Sequence, residues 1–121
     1  MKKIVVIEDN HDNADLIEAF LEDDYKLFFA YDGLSGLNMV KDIKPDLVLL
    51  DISLPEMDGN EVVKAIRKDT NILNIPVIAL TAHAMLGDKE VFLKKGFNNY
   101  MSKPILDEDK LIDMIEELIN N

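Results

Sequence analysis

Five polar residues of this 121-residue chain stand where short apolar runs end: Glu8 and Asp9, then Asp51, Thr81 and Lys103. A carboxylate or hydroxyl after an apolar run commonly caps the next helix, and capping explains Asp9 or Thr81 taken singly. It does not explain Lys103, which precedes Pro104, nor three carboxylates converging on one edge. Three neighbouring carboxylates repel, so such a set either shifts a proton or holds a cation. Oxygen donors without histidine or cysteine favour Mg²⁺ over zinc. A lysine ammonium and a threonine hydroxyl opposite the ion would complete a cradle for a transferring phosphoryl group. In that chemistry Asp51, after the central apolar run, is the nucleophile, since a carboxylate can form an acyl phosphate.

The elements that must position these groups are legible as an alternation. Ile4–Ile7 reads as a buried strand, followed by helical spacing at Ala14, Ile17, Phe20 and Leu21. Leu27–Ala30 is a second strand, and Gly33–Ile43 a second helix with Leu34, Leu37 and Val40 facing inward, stopped by Pro45. Leu47–Leu50 is the most continuous apolar run and predicts a central strand buried on both faces. Pro55 to Gly59 is turn chemistry, with Asp58 as N-cap for a helix through Val62, Val63 and Ile66. Pro76 opens a fourth strand, Val77–Leu80; a helix runs from about Ala84 to Lys95 and stops at Gly96. A short fifth strand lies near Tyr100 and Met101, and the last helix lines up Leu111, Ile112, Ile115, Leu118 and Ile119. Five strands alternating with five helices predict an α/β domain, a doubly wound parallel sheet covered on both faces. Ligands of such sheets bind beyond the carboxyl ends of the strands, where the five polar residues fall.

Composition narrows the function. The hydrophobic fraction of 48% and charged fraction of 31% are those of a folded domain, and the absence of cysteine removes disulfides and thiol chemistry. A net charge of −11 argues against direct nucleic-acid binding by this chain. Eight acids fall within the first 24 residues and six between Asp107 and Glu117, which reads as two solvated helix faces. No apolar run spans a bilayer and no secretory pattern opens the chain, so no membrane insertion and a cytoplasmic location are expected.

The set Glu8-Asp9, Asp51 within Leu49–Gly59, Thr81-Ala82 and Lys103-Pro104 resembles the receiver-domain signature of two-component response regulators, over essentially the whole chain, 1–121. The resemblance implies a flavodoxin-like strand order 2-1-3-4-5. It implies a phosphorelay signalling role rather than an enzyme's: Asp51 takes a phosphoryl group from a histidine kinase or histidine phosphotransfer protein. Asp9 and Asp51 would bind Mg²⁺ directly, with the backbone carbonyl of Ser53 as third ligand and Glu8 acting through water. Lys103, joined to Pro104 by a cis peptide in relatives, would contact the phosphoryl oxygens. Thr81 and Tyr100 would be the switch residues, although Tyr100 is equally well read as a half-buried edge aromatic. A monomer or weak dimer is expected, either stand-alone or excised from a longer protein, with the downstream protein partner unspecified.

Other positions read more plainly. His83 is a spectator at the site mouth, His11 is exposed, and Met39, Met57, Met85, Met101 and Met114 are packing residues. Val91 and Phe92 point about 100° apart and so differ in burial, which would leave one at the rim beside Tyr100 as a partner anchor. Three competing readings fit less well. A haloacid-dehalogenase-type hydrolase wants an aspartate where Ser53 stands, and a flavodoxin wants a phosphate loop where Glu8-Asp9-Asn10 would repel it. A purely structural binding module needs no magnesium set.

Overall fold

The computed structural model describes residues 1–82 and 87–120. Along the chain these form β1 (Lys3–Ile7), α1 (His11–Leu21), β2 (Lys26–Ala30), α2 (Gly33–Ile43), β3 (Leu47–Asp51), α3 (Gly59–Lys68), β4 (Val77–Thr81), α4 (Asp88–Lys95), β5 (Asn99–Ser102) and α5 (Glu108–Ile119). The strands pair in parallel in the order β2-β1-β3-β4-β5, as the sequence predicts. The start of the expected fourth helix, at Ala84, lies outside the described residues, as do His83 and Met85.

Successive residues of each strand feed opposite faces, and the result is two separate cores. Val5, Ile7, Val48, Leu50, Val77 and Ala79 pack with α2, α3 and Phe92 of α4. Ile4, Val6, Leu47, Leu49, Ile78 and Leu80 pack with Ile17 and Leu21 of α1 and Leu111 and Ile115 of α5. Strand β3 is buried along its whole length, which requires its unbroken apolar run. Edge strand β2 is only half-buried at Leu27, Phe28 and Phe29.

Caps fix where helices begin. Asn10, Asp32, Asp58 and Asp107 each accept a hydrogen bond from the backbone N–H three residues on. Helix α4 differs: it starts at Gly87, which offers no side-chain cap, and ends at Gly96 with a left-handed φ of 108°. One inward assignment is corrected. Leu34 is 55% exposed, and the buried stripe of α2 is Gly33, Gly36, Leu37 and Val40. The helix lies so close to β1 that any side chain at 36 would collide with Ile7, so Gly36 sits on its inner face with Leu37 and Val40 while Leu34 turns outward. The methionines Met39, Met57, Met101 and Met114 pack against the cores as expected.

Candidate functional site

Register brings the polar residues together. Ile7 pairs with Leu50, so Glu8 and Asp51 leave the sheet side by side, and Asp51 itself pairs with Leu80, one residue before Thr81. Hydrogen bonds continue the ladder past the strands: Glu8 N donates to Ala30 O at 3.0 Å, Ile52 N to Leu80 O at 3.0 Å, and Lys103 N to Thr81 O at 2.7 Å. The loop after β3 is drawn back over the site by Gly59, whose N–H meets Ile52 O at 2.9 Å. A methyl group at 59 would overlap the carbonyl of Asp51, so the start of α3 can lie against that residue only with glycine there.

Carboxylate oxygens of Glu8, Asp9 and Asp51 lie within 4.8 Å of one another. Glu8 is 0% and Asp51 1% exposed, whereas Asp9 is open to solvent. The Lys103 ammonium stands 3.0 Å from Asp51 Oδ2 and 3.3 and 3.4 Å from the two oxygens of Glu8. Asp51 Oδ1 accepts the Ser53 N–H at 3.0 Å. Oδ2 is buried with an ion-pair contact but no aligned hydrogen bond among the described residues.

The electrostatics follow from burial and crowding. Desolvation raises the Asp51 carboxyl above its ordinary value; Lys103 opposes the rise and Glu8 adds to it. Asp9 is also raised, first by partial desolvation and then by contact with Asp51. Burial alone would lower Lys103, but Asp51 and Glu8 outweigh it and the ammonium is held above its usual range. Three carboxylates against one ammonium leave an excess of two negative charges when all are ionised. A divalent cation matches that excess, the donors are all hard oxygens, and among the described residues Asp51 Oδ2 is an acceptor without a hydrogen bond. The residues fit Mg²⁺.

The comparisons agree with this geometry. The model of the response regulator receiver domain matches residues 4–116. The polar-differentiation response regulator DivK of Brucella anthropi is 41% identical over 105 residues, covering 86% of this chain and 85% of the relative. This chain belongs to the response regulator receiver domain family. Among solved receiver domains, that of sensor histidine kinase PA1611 from Pseudomonas aeruginosa superimposes with a TM-score of 0.89 at 33% identity, over 99% of this chain and 98% of that one. Its active site cleft holds a coordinated magnesium ion. The receiver domain of the Francisella response regulator 1452 gives a TM-score of 0.89 at 29% identity, with the same coverage. In the present receiver domain, no helix among the described residues is long and apolar enough to cross a membrane.

Sequence reasoning placed Glu8, Asp9, Asp51, Thr81 and Lys103 at one sheet edge, and the receiver fold brings them there. Tyr100 is half-buried on β5, opposite Ala79, its ring 5.3 Å from that of Phe92. Phe92 is buried against Tyr100 while Val91 is 47% exposed, so the two neighbours differ in burial as expected. His11 is exposed and stacks on Tyr31 at 4.4 Å, apart from the carboxylates. The Lys103–Pro104 peptide is cis. One residue was missed: Asn13, whose side-chain Nδ2 donates to Glu8 Oε1 at 3.0 Å. The available signal was its place three residues after the cap Asn10, a position from which a side chain turns back toward the strand end.

Proposed function

We propose that this receiver domain accepts a phosphoryl group on Asp51 from a phosphohistidine donor, with Mg²⁺, and passes the signal to a protein partner by a change at Thr81 and Tyr100. The observation that carries the reading is the state of Asp51: a buried carboxylate at the end of the central strand, with one oxygen held by Ser53 and the other, not hydrogen-bonded among the described residues, 3.0 Å from an ammonium. That second oxygen attacks phosphorus. The bond to the donor imidazole nitrogen breaks, its electron pair stays with that nitrogen, and the nitrogen takes up a proton. Ser53 N–H fixes the orientation of the attacking carboxylate, and Lys103 offers positive charge to the incoming phosphoryl oxygens.

Asp9 and Asp51 would hold the cation through carboxylate oxygens and Ser53 through its carbonyl, with Glu8 acting through water. Bound Mg²⁺ would neutralise charge on the phosphoryl oxygens and on the carboxylates that face them. Thr81, beside Asp51 on the neighbouring strand, is the group placed to follow the new phosphoryl oxygens. Tyr100 lies two residues before Ser102, the strand partner of Thr81, which supports its moving with it. A histidine kinase or a histidine phosphotransfer protein is the donor class.

Incubation with acetyl phosphate and Mg²⁺, followed by mass spectrometry, tests this. The expected result is a gain of one phosphoryl group mapped to Asp51, and none on a folded Asp51→Asn variant. Labelling of that variant at the wild-type rate would overturn the assignment, as would catalytic release of phosphate or a bound flavin in the wild type.

A further inference from the structure

We propose that Asn13 is a positioning residue that sets the cation affinity of the site through Glu8; the inference rests on the Mg²⁺ reading above. Three observations lead to it. The backbone of Asn13 is fixed by the helix cap, its N–H donating to Asn10 Oδ1 at 3.0 Å. Its side-chain amide is thereby aimed at the strand end, where it donates to Glu8 Oε1 at 3.0 Å. Glu8, although fully buried, keeps both oxygens at 3.3 and 3.4 Å from Lys103, farther than the 3.0 Å that separates Lys103 from Asp51.

A buried glutamate with an ammonium as its one partner would close on it, because nothing else offsets its desolvation. Asn13 supplies a second donor, to the same Oε1 that lies 3.3 Å from Lys103, and so divides that oxygen between two partners. The consequence is twofold. Glu8 stays directed into the carboxylate cluster, where a cation or its water shell can use it, and Lys103 is not captured by Glu8 at the expense of Asp51. Hydrogen-bond partners of this kind commonly change metal affinity by about 10-fold or more when removed.

The test is Mg²⁺ titration by calorimetry on the full chain, for wild type and Asn13→Ala, alone and in a Glu8→Gln background. We expect Asn13→Ala to bind Mg²⁺ about 10-fold more weakly and to need correspondingly more Mg²⁺ for half-maximal labelling by acetyl phosphate. Its melting temperature in EDTA should stay close to that of wild type. In the Glu8→Gln background the same substitution should change Mg²⁺ affinity little, since the group it acts through is gone. Asn13→Ser replaces Asn13→Ala if the latter does not fold. Equal Mg²⁺ affinity in wild type and variant would overturn the inference and leave the metal reading intact. So would an equal affinity loss with and without Glu8, or a melting temperature that falls equally in EDTA and in Mg²⁺. Absence of Mg²⁺ binding by the wild type would remove the metal reading itself, and the role of Asn13 with it.

Discussion

At the carboxyl ends of the strands, Asp51 keeps a buried oxygen with an ion-pair contact and no hydrogen bond among the described residues. At the amino ends of β4 and β5, the half-buried guanidinium of Arg67 directs four hydrogen bonds at four protein contacts. Nε donates to Gly96 O at 2.9 Å, Nη1 to Leu73 O at 2.8 Å and Ile75 O at 2.7 Å, and Nη2 to Asn98 Oδ1 at 2.8 Å. Burial lowers its pKa, yet the four oxygens it meets are all uncharged. One end of the sheet thus surrounds a lone charge with complementary dipoles, and the other crowds like charges and leaves an acceptor open. A charge met by four hydrogen bonds ties loops together; a crowded one with an open acceptor is poised to take a ligand.

The largest effect that would sharpen this contrast is at Arg67. Arg67→Ala leaves the carbonyls of Leu73, Ile75 and Gly96 without that donor, and should destabilise the fold by about 2–4 kcal/mol in urea denaturation. It should leave labelling of Asp51 by acetyl phosphate nearly unchanged under conditions where the variant is folded. A loss below about 0.5 kcal/mol would mean that water replaces the cage without cost, and the contrast would fail.

The opposite sign is expected at the other end. Asp51 and Asp9 both hold their protons more tightly in the native state than in the unfolded chain. Their stabilising contribution is therefore present at low pH and is lost as pH rises through the raised native values. Asp51→Asn cannot ionise, so in EDTA it should stabilise the protein by about 1 kcal/mol near neutral pH, the loss of a partner for Lys103 offsetting part of a larger gain. The gain should shrink as pH falls toward the ordinary carboxylate range. Thermal melts of both proteins across that range check it; a destabilised variant, or a gain independent of pH, would contradict the crowding.

The smallest effect concerns salt. Asp9 is exposed, so monovalent salt reaches its repulsion with Asp51. Raising NaCl in EDTA should stabilise the wild type by a few tenths of a kcal/mol more than Asp51→Asn, and leave the cost of Arg67→Ala as it was. Equal responses at both ends would show that the Asp51 cluster is not electrostatically strained.

The two ends also differ in how far they could be read without coordinates. Glu8, Asp9, Asp51 and Lys103 are types that rarely follow apolar runs in concert, so their placement alone suggested a cation and a phosphoryl group. Arg67 gave no such sign: a basic residue in the last turn of α3 is what the helix dipole favours anyway, and most of its partners are carbonyls, which every residue carries. Asn13 escaped for a related reason, since an amide near a helix start is ordinarily a cap. Leu34 was assigned inward because spacing counts apolar residues and cannot see that α2 approaches β1 through Gly36. The alternation of runs fixed the strands themselves well, because a strand buried on both faces has almost no freedom in composition.

The anchoring of Gly96 by Arg67 gives the carboxyl end of α4 the mechanics of a clamped beam. Its carboxyl end is bolted to α3 through Gly96 O and turned into β5 by the Phe97 N–H on Phe92 O at 3.0 Å. Its amino end begins at a glycine without a cap, and Phe92 is the one side chain of the beam that is buried. The aromatic stack of Phe92 on Tyr100 lies on the inner side of the helix, while Val91 and Leu93 stand exposed on the outer surface.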